Sequence, residues 1–307
     1  MTLTGVLRVG TRGSTLARTQ TALVVSALEA PAEIIHIATA GDRSSEALTQ
    51  IGGTGVFVSA LRTALLAGQI DVAVHSYKDL PTAPAEGIVI AAVPQREDPR
   101  DALIARDGLS LGQLPAGARV GTGSPRRAAQ LRALGLGLEI VGLRGNVDTR
   151  LGKVASGDLD AVVLAYAGLR RLGRGDEATE VLDPIQVLPA PAQGALAVEC
   201  RSRDDDTIAV LAALNHPDTA TAVSAERALL VALEAGCSAP VGALAEVVEG
   251  DGAVLEVFLR GSVTATDGSS AVRLSATGAT TDADGVGRRL AADLLADGAD
   301  QMMGSSK

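Results

Sequence analysis

Aromatic side chains are nearly missing from this chain: its 307 residues include two Phe, two Tyr and no Trp. Binding of single-stranded nucleic acid by base stacking needs aromatic faces and is excluded as a general activity. An excess of basic charge is missing too. The balance of 27 Lys and Arg against 36 Asp and Glu leaves a net charge of −9, whereas a general polyanion binder is basic. The two cysteines, Cys200 and Cys237, form no CxxC pair, and three histidines supply no HxxEH-type motif, so no metal site is expected. There is no Walker-type G-x-x-x-x-G-K-[ST] loop and no apolar run near the length of a membrane span. The opening "MTLTGVLRVGTRGS" lacks a charged segment followed by an apolar one, so no secretory signal is expected. These absences predict a soluble cytoplasmic protein with neither nucleic acid nor membrane as partner.

What is present is aliphatic. Hydrophobic residues make up 47% of the chain, so the core must be built from Ala, Val, Leu and Ile. That composition suits alternating helices and parallel strands. "VLRVGTR" (6–12) reads as a strand leading into a helix over 14–29, "EIIHIAT" (33–39) as the next strand, and "DVAVHS" (71–76) as a third, after a helix over 56–67. Residues 40–55, "AGDRSSEALTQIGGTG", read as a long loop, and loops of this length are often functional. A second α/β unit begins near residue 100, with strands in "ARVGTGS" (118–124), "LEIVGLRGN" (138–146) and "DAVVLAY" (160–166). The last third changes character. A long helical pattern over 219–236 precedes antiparallel strands over 252–280, with a turn at Asp267-Gly268, and then a final helix over 284–297.

The two α/β units echo each other. Val9-Gly10-Thr11-Arg12-Gly13-Ser14 resembles Val120-Gly121-Thr122-Gly123-Ser124, and "GQIDVAVHSY" (68–77) resembles "GDLDAVVLAY" (157–166), in the same order. Either this is coincidence in Gly/Ala/Val-rich sequence, or two related lobes face one ligand across a cleft with loops and helix N-termini.

Arginines stand at strand ends or helix starts: Arg12, Arg126, Arg127, Arg144, Arg150 and Arg171. The pair in "GTGSPRRAAQ" opens a helix, where the macrodipole disfavours cations. An anionic ligand would account for them, and the planar fork of arginine suits carboxylate or phosphate. Without a phosphate-binding loop, several carboxylates are the preferred ligand.

Two further stretches admit two readings each. "VHSYKDLPT" (74–82) ends a strand with Lys78-Asp79. This is either a strand-end ion pair, or a substrate-binding cation beside a carboxylate that moves protons or stabilises a cationic intermediate. "LEAGCSAPVG" (233–242) places Cys237 just after Gly236, which reads as a helix C-terminal glycine. Cys237 is either inert or a nucleophile or covalent anchor on a loop. Cys200, inside the apolar strand "ALAVEC", reads as structural.

Taken together and in order, "VGTRGS", "HSYKDLPT", "VGTGSPRR", "LRGNVDTRL", "LPAPAQGALAVECR" and "EAGCSAPVG" resemble the porphobilinogen deaminase (hydroxymethylbilane synthase) family over nearly the whole chain. The resemblance implies a cytoplasmic, monomeric transferase of porphyrin and haem biosynthesis. It would join four porphobilinogen molecules head to tail, releasing four ammonia, to give linear hydroxymethylbilane. It implies a dipyrromethane cofactor held by a thioether to Cys237, with Asp79 as the catalytic carboxylate. Arg12, Ser14, Gln20, Lys78, Ser124, Arg126, Arg127, Arg144, Arg150 and Arg171 match positions for the acid groups of cofactor and substrate. Gln193 and Gly194 match a crossing segment beside the cleft. The implied fold is α/β, with two periplasmic-binding-protein-like lobes of mainly parallel sheets (1–94 with 190–212, and 95–189) and a smaller α+β domain (213–307) carrying the cysteine.

One departure stands out. Many members carry a loop like G-G-K-G-x-F-x-K-E, whereas this chain reads "GGTGVFVSALR", with Thr54 and Ser59 in place of the lysines and Phe57 retained. Arg43 and Arg62 are the candidates to replace them. The rival readings are a non-catalytic two-lobed carboxylate binder and an acidic regulatory protein that binds a small anion.

Overall fold

A computed structural model describes residues 5–37, 55–236 and 239–303; for residues 55–57 and 251 only the backbone is described. The chain divides into two compact units, Met1–Glu97 with Ala195–Ala220, and Asp98–Gly194 with Thr221–Lys307.

The first unit begins with β1 (Leu7–Thr11), α1 (Thr15–Ala27) and β2 (Ala32–His36). Ser14 starts α1 by accepting a hydrogen bond from the Ala17 N–H at 3.2 Å, an N-cap that satisfies one of the helix's orphan donors. Then come α2 (Gly55–Leu66), β3 (Val72–Ser76), a single 3-10 turn at Tyr77–Asp79, and β4 (Ile88–Ala92). The sheet is completed by β10 (Leu196–Arg201), which arrives from far along the chain. Its strand order is β2-β1-β3-β10-β4. β1 runs parallel to β2 and β3, while β10 is antiparallel to both β3 and β4, with Ala197 opposite His75.

The second unit repeats this plan with β5 (Asp101–Ala105), β6 (Arg119–Thr122), α3 (Pro125–Ala133), β7 (Glu139–Gly142), α4 (Val147–Ala155), β8 (Ala161–Ala165), α5 (Tyr166–Arg171) and β9 (Glu180–Val181). Its order is β7-β6-β8-β5-β9. Each sheet is therefore mixed, with a parallel set of three strands and an antiparallel crossing strand, β10 or β5. The short apolar runs of β4 and β5 are strands to which the sequence pattern assigned no element.

The internal echo is structural. Asp71 N–H donates to the Arg8 carbonyl at 2.8 Å, and Asp160 N–H donates to the Arg119 carbonyl at 2.9 Å. A Cβ on Gly10 would lie 2.3 Å from Ile70 Cδ1, and one on Gly121 would lie 2.5 Å from Leu159 Cδ1. Both are closer than packed side chains tolerate, so the repeated Val-Gly-Thr motif lets an aliphatic side chain from the equivalent position, Ile70 or Leu159, cross the middle of each first parallel strand.

The second unit also carries an antiparallel sheet of β11 (Val241–Glu249), β12 (Leu255–Thr264) and β13 (Ala271–Ala279). Gly268 closes the β12–β13 turn with φ +79°, as its Asp-Gly signal predicts. After α6 (Asp205–Ala212) in the first unit, α7 (Pro217–Ala232) and α8 (Ala283–Ala296) contribute Leu229, Val286, Leu290 and Leu294 to a core shared with Leu233, Val241, Val257, Leu259 and Val263. Among the described residues, no helix is long and apolar enough to cross a membrane.

Candidate functional site

In the second unit the helix starts predicted from sequence converge on a cationic cluster. Ser124 caps α3, accepting from the Arg127 N–H at 3.4 Å, and Asn146 caps α4, accepting from the Thr149 N–H at 2.8 Å. Gly123 is demanded by close approach, since a Cβ there would sit 2.5 Å from the Leu143 carbonyl oxygen. The same Cβ position lies 3.8 Å from the Arg150 guanidinium, which places Arg150 against the glycine turn. Arg150 donates from Nε to the Gly145 carbonyl at 2.9 Å. Burial, then the neighbouring charges of Arg127 and Arg144, push the Arg150 pKa down. Arg144 is exposed. Among the described residues no carboxylate pairs with Arg144 or Arg150. Two cations without such a partner thus stand beside two capped helix starts, an arrangement that favours anionic groups.

The arginine pair at the start of α3 has a carboxylate partner inside the fold. Asp101, the first residue of β5, is fully buried beneath it. Arg126 Nη2 donates to Asp101 Oδ2 at 2.7 Å, and Arg126 Nη1 donates to the Leu188 carbonyl at 2.6 Å. Arg127 Nε and Nη2 donate to Asp101 Oδ1 at 2.9 and 2.8 Å. Burial alone would raise the Asp101 pKa, but the charges of Arg126 and Arg127 outweigh it and hold the carboxyl far below the usual range. The cations at this helix start are therefore answered inside the fold. Arg126 is 3% and Arg127 5% exposed, so both serve within the fold as counter-charges to Asp101.

The crossing segment is tied to the same carboxylate. Gln193 is fully buried; its Nε2 donates to Asp101 Oδ1 and to the Pro99 carbonyl, both at 2.7 Å, and its Oε1 accepts from Arg127 at 3.2 Å. Gly194 takes φ +87°, and its carbonyl accepts from Arg171 Nη2 at 2.7 Å. Ala192, at φ +61°, is held there by its N–H bond to the buried Glu226 carboxylate at 2.5 Å. Asp101 and Glu226 went unnoticed in the sequence. The available signal was an acid opening or interrupting an apolar run, as in "DALIA" and "AERALLVA".

In the first unit, Lys78 and Asp79 lie on the 3-10 turn that ends β3, both half-buried. Asp79 has no hydrogen-bond or ion-pair partner among the described residues, so the reading of a strand-end ion pair gains nothing here. Gln20, on α1, exchanges hydrogen bonds of 3.0 and 3.1 Å with Ser76, the residue that leads into the turn. Ser14 spends its hydroxyl as a helix cap, as Ser124 does. Arg12 is half-buried in the two-residue link between β1 and that cap.

Cys237, the 40–54 part of the long loop, Thr54 and Arg43 lie outside the described residues, and so does the side chain of Phe57. α7 ends at Ala232, and its left-handed terminal residue is Glu234 at φ +50°, not Gly236 as predicted. Cys200 is fully buried on β10, and burial pushes its thiol up to about 11, as suits an inert cysteine.

The exposed and half-buried arginines at these helix starts suit anionic groups. A family model for the porphobilinogen deaminase dipyromethane cofactor binding domain matches residues 7–209, and one for the porphobilinogen deaminase C-terminal domain matches residues 220–296. Porphobilinogen deaminase of Mycobacterium tuberculosis (strain ATCC 25618 / H37Rv) is 60% identical over 305 residues, covering 97% of this chain and 98% of that protein. The protein of that name from Nocardia farcinica is 61% identical over 304 residues, covering 97% and 88%. Among solved structures, the methionine-binding protein MetQ matches with a TM-score of 0.42 at 14% identity, covering 67% of this chain and 88% of that one. With both family domains matched in sequence over almost its full length, the chain belongs to the porphobilinogen deaminase family, whose members join four porphobilinogen molecules head to tail on a dipyrromethane cofactor and release four ammonia.

Proposed function

We propose that this chain is a hydroxymethylbilane synthase in which Cys237 carries the dipyrromethane, Asp79 is the catalytic carboxylate, and Arg127, Arg144 and Arg150 hold side-chain acids of the pyrrole chain. The observation that carries the reading is Arg150, set against the Gly123 turn beside two capped helix starts and, like Arg144, without a carboxylate partner among the described residues. Arg127 already has Asp101, so the charges of Arg144 and Arg150 are the ones left for anions to balance. Arg127 presents a fixed face because Asp101 and Gln193 hold it. Arg144 is exposed and open to an acid group of the growing chain. Arg12, Lys78 and Arg171 are assigned the same class of contact, whereas Ser14, Gln20, Ser124, Arg126, Gln193 and Gly194 hold the elements that carry them.

Bound dipyrromethane supplies a nucleophilic pyrrole carbon and further carboxylates for these arginines. Asp79 accepts hydrogen bonds from pyrrole N–H groups, stabilises positive charge as ammonia leaves the substrate, and takes up the proton lost after the new bond forms. A carboxylate without a partner among the described residues is suited to that work, because no ion pair seen there must be broken first. The same reading makes the protein a cytoplasmic monomer acting on a small-molecule substrate, and sedimentation at working concentration checks its oligomeric state.

Intact-mass measurement tests the proposal. The purified protein should exceed its polypeptide mass by two pyrrole units, and Cys237→Ala should lose that increment. A bare chain in fully active enzyme would overturn it.

A further inference from the structure

A second buried charge cluster lies in the first unit, outside every role assigned above. Glu199, in the middle of β10, is 1% exposed. Arg62, on α2, donates to it from Nε at 3.1 and 3.2 Å and from Nη2 at 2.6 Å. His75 Nε2, on β3, lies 3.2 Å from Glu199 Oε2, an oxygen that Arg62 Nε also reaches. One carboxylate thus joins three elements. His75 is four residues before Asp79 on the same strand and turn. Arg62 is one helical turn beyond Val58, and Val58 packs with Tyr77 and Leu80, the residues that bracket Lys78-Asp79. α2 is therefore laid against the turn by apolar contact at Val58 and fastened by charge at Arg62.

We infer that Arg62 and Glu199 are positioning residues for the Asp79 turn, holding α2 and β3 together so that the Asp79 carboxylate meets the substrate in a fixed place. The inference rests on the reading of Asp79 as the catalytic carboxylate. It also gives Arg62 the place of the cation that the loop lacks at Ser59: Arg62 stands three residues later, on the same side of the helix, and its charge is used by Glu199. A buried carboxylate that loses its partner is costly and shifts the elements around it, and a displacement near 1 Å at a catalytic group can cost about a hundredfold in rate.

The test uses the holoenzyme, with cofactor content measured by intact mass and unfolding measured in urea. Arg62→Met and Glu199→Gln should keep the cofactor and lower kcat roughly ten- to a hundredfold, with KM changed by no more than about twofold. In Asp79→Glu, where the carboxylate is already displaced, adding Arg62→Met should cost far less than it does in the parent, since the two changes act through one position. Should Glu199→Gln fail to fold, Arg62→Met decides alone. Parental kcat in Arg62→Met overturns the inference, and so does full additivity with Asp79→Glu, or a loss of stability with kcat per folded molecule unchanged. Asp79→Ala separates the two levels. Full turnover there rejects the catalytic reading itself, while an inactive Asp79→Ala beside a fully active Arg62→Met rejects only the positioning role.

Discussion

Arg127 and Asp101 share a single oxygen: Nε and Nη2 of the guanidinium both donate to Oδ1, at 2.9 and 2.8 Å, while Arg126 takes Oδ2. This relationship divides the arginines of the second unit into two kinds. Arg126 and Arg127 are held by a carboxylate within the fold, whereas Arg144 and Arg150 have none among the described residues. The division has consequences for stability and for binding that can be measured separately.

Asp101→Asn keeps the shape and removes the charge, leaving two buried guanidinium groups uncompensated. Breaking a buried pair of this kind costs about 3–5 kcal/mol. The expected result is a large drop in the urea midpoint together with poor cofactor loading; an unchanged midpoint would show that Asp101 is dispensable.

Arg144→Leu and Arg126→Leu should behave in opposite ways. Arg144 is exposed, so its loss should change stability by no more than about 0.5 kcal/mol while weakening substrate binding and chain growth. Arg126 is buried against Asp101, so its loss should destabilise the unit before any effect on binding can be read. Comparing urea midpoints with steady-state kinetics for the two variants checks the contrast.

Gly123→Ala should damage the anion site through the backbone. Its Cβ would meet the Leu143 carbonyl oxygen at 2.5 Å, and overpacking of this kind costs roughly 1–3 kcal/mol. The turn that separates Thr122 from the Ser124 cap must shift, and Arg150 with it. The expected outcome is a lower melting temperature with weaker substrate binding, and wild-type kinetics would refute it.

Asp79→Ala should retain covalent cofactor and fold normally, because Asp79 has no internal partner among the described residues. Turnover should fall by about 10²–10⁴, the usual span for a positioned acid–base group. Single-turnover kinetics on cofactor-loaded protein gives the comparison.

Acid stability follows from two other carboxylates. Burial pushes the Glu199 pKa up, but His75 and Arg62 outweigh it, and it settles at about 2 against an ordinary 4.5. Asp71 likewise ends at about 2 against 3.8, its burial outweighed by hydrogen bonds from Arg8 and Arg201. Both are lower in the folded chain than in the unfolded one, so the unfolded chain takes up protons first. Their contribution is complete above about pH 5 and is lost as pH falls from about 4.5 towards 2. Glu199→Gln should flatten the fall of stability across that window, as measured by urea unfolding at stepped pH; an identical slope would exclude Glu199 as a source.

Much of this protein was legible as a string of residues. Period-two and period-3.6 patterns located most strands and helices, because alternation and helical spacing are local. The paired Val-Gly-Thr motifs raised either coincidence or two related units, and the sheet orders show one plan used twice. The ordered motifs indicated the family, with its cofactor and reaction. Placement of Lys78-Asp79 at a strand end and of Ser124 at a helix start followed from the same local rules.

Which charges meet was decided only in three dimensions. β10 enters the first sheet after the whole second parallel set has been laid down, and only then does Glu199 reach Arg62, 137 residues earlier in the chain. Asp101 reaches Arg126 and Arg127 because β5 crosses its own sheet antiparallel, a direction that no local pattern encodes. Periodicity is a property of neighbouring residues and can be read from them. The partner of a buried charge depends on strand order and on the cost of leaving that charge alone, and these arise only when distant segments pack together.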